Sequence, residues 1–339
     1  MVDAARTLDS GKRQAASLQP LQDLAGADLK RVNALILEHM QSSVPLIPQV
    51  AEHIIAAGGK RLRPLLVLAS ARLVGVESDR PLGLAAAVEF IHTATLLHDD
   101  VVDESDLRRG RETAKALFGN QASVLVGDFL FSRAFQLMVA DGSLAVLKLL
   151  AGTSATLAEG EVHQLMTAHD TETNETAYLD VIRAKTAVLF AASAQVGALI
   201  AERPEHEVEA LRRYGEALGM AFQVVDDVLD YSQEAAGRGK ALGDDFREGK
   251  LTLPVILAFE AGDEVEKSFW RRCLEQGEQN EGDLEQALAL LHRHGALEQS
   301  KERARRFATE AHSALSLFPN DRVRDALLQA VDFTVERLY

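Results

Sequence analysis

Apolar residues recur at three- and four-residue spacing along most of the chain, a pattern that predicts helices rather than strands. The clearest stretches are residues 82–102, 121–138, 177–200 and 208–231. Polar or glycine-containing breaks fall at residues 56–64, 168–176 and 233–250. From about residue 263 onward the helices are more charged and amphipathic, as expected for a peripheral layer. The sequence therefore predicts an all-α bundle whose middle helices, apolar nearly all round, lie inside.

The length and composition allow one large domain or two smaller ones. The chain has 339 residues, of which 47% are hydrophobic and only 5% aromatic, enough apolar surface for a large core. We expect a single all-helical domain over residues 1–339, with a poorly ordered N-terminal segment at 1–25. The glycine-rich, charged stretch at 233–250 has the composition of a mobile loop.

Net charge and cysteine content narrow the class of protein. A net charge of −15 argues against a nucleic-acid partner, which would need a basic face. The single cysteine, Cys273, cannot form an internal disulfide, so a reducing cytoplasm is expected. The longest charge-free run, residues 186–201, is shorter than the roughly twenty apolar residues of a membrane span. No transmembrane segment is expected; a peripheral membrane contact stays open.

Three aspartates occur where an apolar helix is predicted. The stretch LLHDDVVDESDLRRGR (96–111) contains Asp99, Asp100 and Asp103 between apolar pairs. On a helix, Asp99 and Asp103 lie one turn apart on the same face, and like charges at that spacing cost roughly 0.2–0.5 kcal/mol. The cost rises where the flanks exclude water. A partner from outside the local sequence is needed to offset it.

The same arrangement occurs again in QVVDDVLD, with Asp226, Asp227 and Asp230. One such motif could be a solvated helix face or a cap, but two in apolar settings are harder to assign to the surface. Opposed carboxylate faces repel unless cations lie between them. Carboxylates without histidine or thiolate ligands suit Mg2+, which typically bridges them to a substrate's phosphates. The pattern predicts magnesium with a polyphosphate.

Basic residues accompany these acids. GGKRLRP places Lys60 and Arg63 at a predicted helix start, where an anion is favoured by the helix dipole. His92 lies on the face of Asp99 two turns earlier, although a lone histidine is more often a core residue. Further candidate cations, for which a solvated surface position is the alternative, are Arg108, Arg109, Lys185, Lys240 and Lys250.

Five motifs together make the chain resemble the trans-isoprenyl diphosphate synthases. In order they are GGKRLRP, LLHDDVVDESDLRRG, AKT, FQVVDDVLD and GKALGDDFREGKLTLP, within residues 51–257. Among these enzymes the chain is most similar to the long-chain octaprenyl- to decaprenyl-type bacterial enzymes that supply quinone side chains. The resemblance implies antiparallel helices around a deep central cavity, usually in a homodimer.

The resemblance also implies roles for individual residues. The metal ligands, for about three Mg2+ ions, would be Asp99, Asp103 and Asp226, supported by Asp100, Asp227 and Asp230. The allylic diphosphate would be contacted by Arg108, Lys185 and Lys250, with Lys240 closing from the glycine-rich loop. Isopentenyl diphosphate would be bound by Lys60, Arg63, His92 and Arg109. Thr186 and Gln223 would line the position where cationic charge develops, so the catalytic set is Asp99, Asp103, Lys185, Thr186, Gln223 and Asp226.

The implied reaction needs no protein nucleophile. Isopentenyl diphosphate condenses repeatedly with an allylic primer, such as farnesyl or geranyl diphosphate, after magnesium and basic residues have stabilised the leaving diphosphate. No Ser-His-Asp or Cys-His arrangement is apparent in the sequence. Exclusion of water matters because water would quench the allylic cation.

Product length is expected to depend on the helix that precedes Asp99. In the family, an aromatic residue four or five positions before the first motif stops growth early. Here these positions hold Ala94 and Thr95, so elongation should continue. Phe131, with Phe135 and Met138, could form a deeper floor, although an ordinary core stripe is the alternative.

Two other functions compete with this one. A class I terpene cyclase shares the helical cavity, but its second metal motif is of the Asn-Asp-x-x-Ser-x-x-x-Glu type and it lacks a second diphosphate site. A non-catalytic, metal-stabilised helical subunit leaves the basic residues unexplained. A di-iron bundle would need two Glu-x-x-His motifs, and only Glu89 to His92 fits.

Overall fold

The computed structural model describes residues 16–56, 59–108, 110–232 and 242–337. Within those ranges the chain forms helices almost throughout, which confirms the all-α prediction. The α-helices are α1 (Gln19–His39), α2 (Leu46–Ala56), α3 (Leu62–Leu73), α4 (Arg80–Val102), α5 (Ala114–Phe118), α6 (Asn120–Asp141), α7 (Leu144–Thr167), α8 (Glu175–Ile182), α9 (Val188–Ile200), α10 (Glu205–Asp230), α11 (Asp244–Arg247), α12 (Leu253–Ala261), α13 (Glu264–Trp270), α14 (Asp283–Arg293), α15 (Ala296–Ala314) and α16 (Arg322–Glu336). The remaining elements are π-helical turns at Arg183–Ala187 and Arg271–Glu275, a 3-10 turn at Leu315–Leu317, and the strands β1 (Leu107–Arg108) and β2 (Arg111–Glu112).

The central helices pack at very short range. α9 is apolar on every side and is buried along nearly its whole length, so it lies between other helices rather than on the surface. A Cβ on Gly197 would lie 2.3 Å from the backbone nitrogen of Ala71 on α3. A Cβ on Gly215 of α10 would lie 2.4 Å from the carbonyl oxygen of Phe190. Only glycine permits these two backbone approaches, and they fix α3, α9 and α10 as one layer.

The C-terminal helices cover this layer as the charge pattern predicted. α15 lies along α10 and buries a stripe of small residues, among them Ala296, Ser300, Ala304 and Ala311. A second apolar cluster forms where α12, α13 and α14 meet, around the fully buried Trp270. α14 and α15 therefore contribute one apolar face each and leave a charged face to solvent, whereas α12 is buried from Leu253 to Phe259.

Three local features differ from the sequence pattern. The single helix expected over 177–200 is interrupted by the π-helical turn at Arg183–Ala187. Residues 107–112 form a short antiparallel hairpin with Leu107 opposite Glu112. α1 begins at Gln19 and buries Leu21, so the end of the segment expected to be poorly ordered is helical, while residues 1–15 lie outside the described chain.

Among the described helices, α6 is long and apolar enough to cross a membrane by length and composition. A core helix of a soluble protein passes the same test. α6 buries one face, including Val126, Leu130 and Ala134, against neighbours of which α4 is the main one. Its apolar composition is therefore accounted for on that side by packing.

Candidate active site

The first acidic motif lies at the C-terminal end of α4. Asp99 and Asp100 are in its last turns, and the N–H of Asp103, which follows the helix, donates to the Asp99 carbonyl oxygen over 2.8 Å. Burial raises the pKa of Asp99 to about 7; Lys185 opposes this rise, and the carboxylates of Glu161 and Asp103 add to it. A carboxylate here also faces the negative end of the helix dipole. Burial, the neighbouring carboxylates and the helix dipole thus all disfavour a negative charge on Asp99.

The second acidic motif lies at the C-terminal end of α10. Asp227 is buried and accepts hydrogen bonds from the Tyr178 hydroxyl over 2.5 Å and from Gln223 Nε2 over 2.8 Å. The pKa of Asp227 is raised to about 8, chiefly by burial and also by the Asp245 carboxylate, while the two donors oppose the rise. Asp230 is also buried, and its Oδ2 accepts the N–H of Asp245 over 3.0 Å. Both carboxylates are therefore anchored by hydrogen bonds within the protein.

The two motifs meet at one cavity of about 540 Å³. Asp103 lines it at the end of α4, and Asp226 and Asp227 line it from α10. Asp226 is the more open of the latter two, with 38% of its side chain exposed. Further carboxylates on the same lining are those of Glu161, Asp245 and Glu248. The structure thus brings together two acidic motifs that lie far apart in the sequence.

The donor set fits a hard divalent cation. All the acidic groups offer carboxylate oxygens, and the raised pKa values of Asp99 and Asp227 record burial and like-charge crowding that a cation would relieve. In the described part of the chain, no group of three or more acidic, histidine or cysteine side chains lies close enough together to hold a metal ion by itself. Mg2+ does not require one, because it keeps several waters and binds through one or two carboxylates together with substrate phosphates.

Basic side chains neutralise several of these carboxylates. The nitrogen-to-oxygen distances are 3.3 Å for Lys250 and Asp103, 2.7 Å for Lys185 and Glu161, 2.8 Å for Arg108 and Asp100, and 3.0 Å for Arg337 and Asp226. Although burial opposes its charge, Lys250 has a pKa above its usual value because Asp103 and Glu248 lie beside it. Lys185 and Lys250, which line the cavity, are therefore held there by carboxylates of the same lining.

The π-helical turn places Lys185 and Thr186 on the cavity lining. The Thr186 hydroxyl donates to Gln223 Oε1 over 2.9 Å, and Gln223 donates in turn to Asp227. This chain of hydrogen bonds joins the turn to the second acidic motif. Single π turns inside helices are frequent at functional sites, because they shift side chains out of the regular helical register.

A second group of basic residues lies at the start of α3. Arg63 Nη1 lies 3.2 Å from His92 Nε2, and the Arg63 guanidinium lies 4.4 Å from the centre of the Phe190 ring. Lys60 Nζ lies 4.6 Å from the centre of the Phe333 ring on α16. Such cation–π contacts restrict the orientation of a basic side chain. The structure thus brings Arg63 and His92, which the sequence assigned to one ligand, into contact.

Some functional residues could not be placed, and others were missed. The predicted ligands Arg109 and Lys240 lie outside the described residues. Two residues at the site were not identified from the sequence: Arg337, which reaches Asp226 from the C-terminal end of the chain, and Tyr178, which holds Asp227. No local motif marks either one. The available signal for Tyr178 was a tyrosine in the apolar helical stretch that precedes the AKT motif.

The residues expected to control product length do not line this cavity. Ala94 and Met138 are fully buried, and the Thr95 hydroxyl donates to a carbonyl of its own helix over 2.8 Å. Phe131 is half-buried, whereas Phe135 is 42% exposed and so differs from the expectation of a shared floor. Growth of a product along α4 past Thr95 and Ala94 would therefore need these packed side chains to separate.

Comparison with known proteins gives consistent matches over nearly the whole chain. A family model described as polyprenyl synthetase matches residues 44–291. The octaprenyl diphosphate synthase of Haemophilus influenzae is 45% identical over 328 residues, covering 97% of this chain and 99% of that protein. The crystal structure of a decaprenyl diphosphate synthase from Rhodobacter capsulatus is 52% identical, with a TM-score of 0.92 over 95% of this chain and 100% of the other. A polyprenyl synthase from Caulobacter crescentus, complexed with calcium and isoprenyl diphosphate, is 51% identical, with a TM-score of 0.92 over 97% of this chain and 100% of the other.

Proposed function

The chain belongs to the polyprenyl synthetase family, and we propose on this premise that it is a long-chain all-trans polyprenyl diphosphate synthase. In each cycle the allylic carbon–oxygen bond ionises, and the double bond of isopentenyl diphosphate attacks the resulting cation. A proton then leaves to the departing diphosphate. The observation that carries the proposal is the meeting of two aspartate motifs and their basic partners at one cavity.

The allylic diphosphate binds between the two acidic motifs in this proposal. Arg108, Lys185 and Lys250 contact its oxygens, exchanging part of their present ion pairs for the substrate. Lys240 is assigned to the same group on the sequence motif alone. These cations stabilise the charge that develops on the leaving diphosphate, which is where differential binding accelerates the reaction.

Magnesium completes this site. The family is generally Mg2+-dependent, and bound Mg2+ supplies further positive charge to the leaving diphosphate. Asp99, Asp103 and Asp226 would hold three such ions, while Asp227 and Asp230 keep α10 in place through their hydrogen bonds. The calcium found with isoprenyl diphosphate in the Caulobacter relative supports a divalent-ion site of this kind.

Isopentenyl diphosphate binds at the start of α3. Lys60, Arg63 and His92 supply the basic groups there, with Arg109 added from the sequence motif. Two diphosphate sites are what a condensation requires, because both substrates must be held before the carbon–carbon bond forms. Thr186 and Gln223 present oxygen atoms on the cavity lining, and in this proposal they stabilise developing positive charge.

The product is proposed to be octaprenyl to decaprenyl diphosphate, for quinone side chains. The small side chains of Ala94 and Thr95 set no aromatic barrier on α4, and similar chains are named octaprenyl and decaprenyl diphosphate synthases. Farnesyl or geranyl diphosphate is the primer in this proposal. Cytoplasmic localisation is part of this proposal, and the single cysteine, which cannot form an internal disulfide, supports it.

A homodimer is proposed through the outer faces of α6 and α7. These faces expose large apolar side chains, including Leu125, Val139, Leu144 and Val162. Exposed apolar patches on soluble proteins commonly mark interfaces, because burying them removes apolar area from water. A second copy would cover the side of α6 that its own chain leaves open.

The decisive test is incubation with farnesyl diphosphate, labelled isopentenyl diphosphate and Mg2+, followed by sizing of the labelled products. The expected result is a ladder that ends between the octaprenyl and decaprenyl lengths and that disappears with EDTA and in the Asp103→Asn variant. A terpene cyclase would consume farnesyl diphosphate without incorporating label. A non-catalytic subunit would bind Mg2+ and make no product.

A further inference from the structure

A buried ion pair lies beside the basic group at the start of α3. Arg61 Nη1 donates to Oε1 of Glu89 on α4, and their side chains are 14% and 7% exposed. A buried carboxylate is costly unless it is paired, so this contact must hold in the folded chain. Neither residue lines the cavity between the acidic motifs. The pair is therefore not explained by contact with the allylic diphosphate.

Arg61 has a backbone conformation that favours glycine. Its φ of 49° and ψ of 38° place it in the left-handed region, immediately before α3. Its carbonyl oxygen accepts the N–H of Leu65 over 3.0 Å, so this residue starts the helix. The side-chain contact with Glu89 is a restraint on this strained turn. Lys60 and Arg63 lie on either side of the turn, so its shape decides where their charged ends point.

Glu89 and His92 are three residues apart on the same face of α4. Two neighbouring contacts therefore join the start of α3 to α4: Arg61 with Glu89, and Arg63 with His92. The first is buried and charged, and the second involves two groups that the proposed function assigns to a substrate. The buried pair of Arg61 and Glu89 is therefore placed to hold Arg63 in position next to His92.

We propose that Glu89 is a positioning residue for isopentenyl diphosphate. Through Arg61 it fixes the left-handed turn that directs Lys60 and Arg63 towards this substrate. The inference rests on the proposed function for the identity of the diphosphate. It assigns a role to Glu89 of the Glu-x-x-His motif, in which only His92 had a proposed role before.

The test uses Glu89→Gln, Arg61→Gln and the double variant, which leaves no buried charge unpaired. Each substrate is varied separately in steady-state kinetics, and isopentenyl diphosphate alone is titrated by calorimetry. We expect the KM and the calorimetric Kd for isopentenyl diphosphate to rise roughly 10- to 100-fold, since misplacement by about 1 Å has effects of that size. The KM for farnesyl diphosphate should stay within about threefold. The double variant should bind isopentenyl diphosphate no more weakly than the single variant with the larger loss of affinity, because the two residues act as a unit.

The matched control is Glu266→Gln, which removes a carboxylate that is similarly buried and paired with Arg293 and His294 at the end of α14. It should leave both KM values unchanged. Unchanged affinity for isopentenyl diphosphate in all three variants would overturn the inference, and so would a parallel loss of affinity for both substrates. A wild-type chain that makes no prenyl product, yet binds isopentenyl diphosphate more tightly than Glu89→Gln does, would refute the proposed function and sustain the positioning role.

Discussion

Replacing Asp99 by asparagine should stabilise the metal-free fold at alkaline pH while it abolishes activity. The pKa of Asp99 rises from 3.8 to about 7, chiefly because the carboxyl is buried. When an acid has a higher pKa in the folded than in the unfolded chain, the fold binds more protons between the two values, so stability falls as pH rises. At about 1.4 kcal/mol per pKa unit, raising the pH from 5 to the pKa near 7 lowers the free energy of unfolding by about 3 kcal/mol.

The side-chain amide that the Asp99→Asn variant introduces carries no charge at any pH, so it escapes this loss. We therefore expect the free energy of unfolding of the variant, relative to wild type, to be higher by about 1–3 kcal/mol at pH 8 than at pH 5, the lower figure allowing for solvent screening. The rate of prenyl transfer should fall by roughly 100-fold or more, because the variant lacks a carboxylate proposed to hold the Mg2+ that stabilises the leaving diphosphate.

The assay is urea unfolding in EDTA at pH 5 and pH 8, at one fixed protein concentration because a dimer is proposed. Asp325→Asn serves as the control, since this aspartate is exposed in the first turn of α16 and should shift stability little at either pH. A relative stability of Asp99→Asn that is the same at both pH values would refute the argument from burial. Mg2+ with diphosphate should stabilise the wild type at pH 8 and the variant much less.

Three other changes give further tests. Ala94→Phe or Thr95→Phe should shorten the largest product, as sized by chromatography, and unchanged length in both would remove the argument that α4 limits growth. Tyr178→Phe removes a hydrogen-bond donor from the buried Asp227 carboxylate, whose pKa is about 8. The free energy of unfolding in urea should fall by about 1.5–3 kcal/mol at pH 9 and by less at pH 6, where the carboxyl is protonated. Equal losses at both pH values would contradict this. Val139→Glu places a charge on the exposed apolar face of α6 and should shift the sedimentation equilibrium towards monomer, whereas an unchanged dimer would place the interface elsewhere.

The positions of the long helices could be predicted because apolar spacing is a local property. The stretches 82–102, 121–138 and 208–231 correspond to α4, α6 and α10 within a few residues. The helix expected over 177–200 contains a π-helical turn. The sequence pattern did not reveal this turn, because one widened turn changes few apolar positions. The hairpin at 107–112 was missed because two-residue strands are too short to show alternation.

The acidic motifs could be identified from sequence because the conflict is local: charges occur where neighbouring residues demand burial. The sequence by itself therefore determined which residues needed partners, and that those partners had to be cationic. It did not determine the pairing, because Coulomb and hydrogen-bond energies depend on distance through space. Lys250 reaches Asp103 across 147 positions, and Arg337 reaches Asp226 across 111.

The different roles of the three aspartates in the second motif were likewise decided by tertiary structure. Asp226, Asp227 and Asp230 look alike in sequence, but packing around α10 buries the last two and supplies them with donors. Asp226 is left on the open side with Arg337. The donors come from Tyr178 on α8, from Gln223 on α10 itself and from the N–H of Asp245 on α11. Their placement in the folded chain sets which carboxylate anchors the fold and which one faces the cavity.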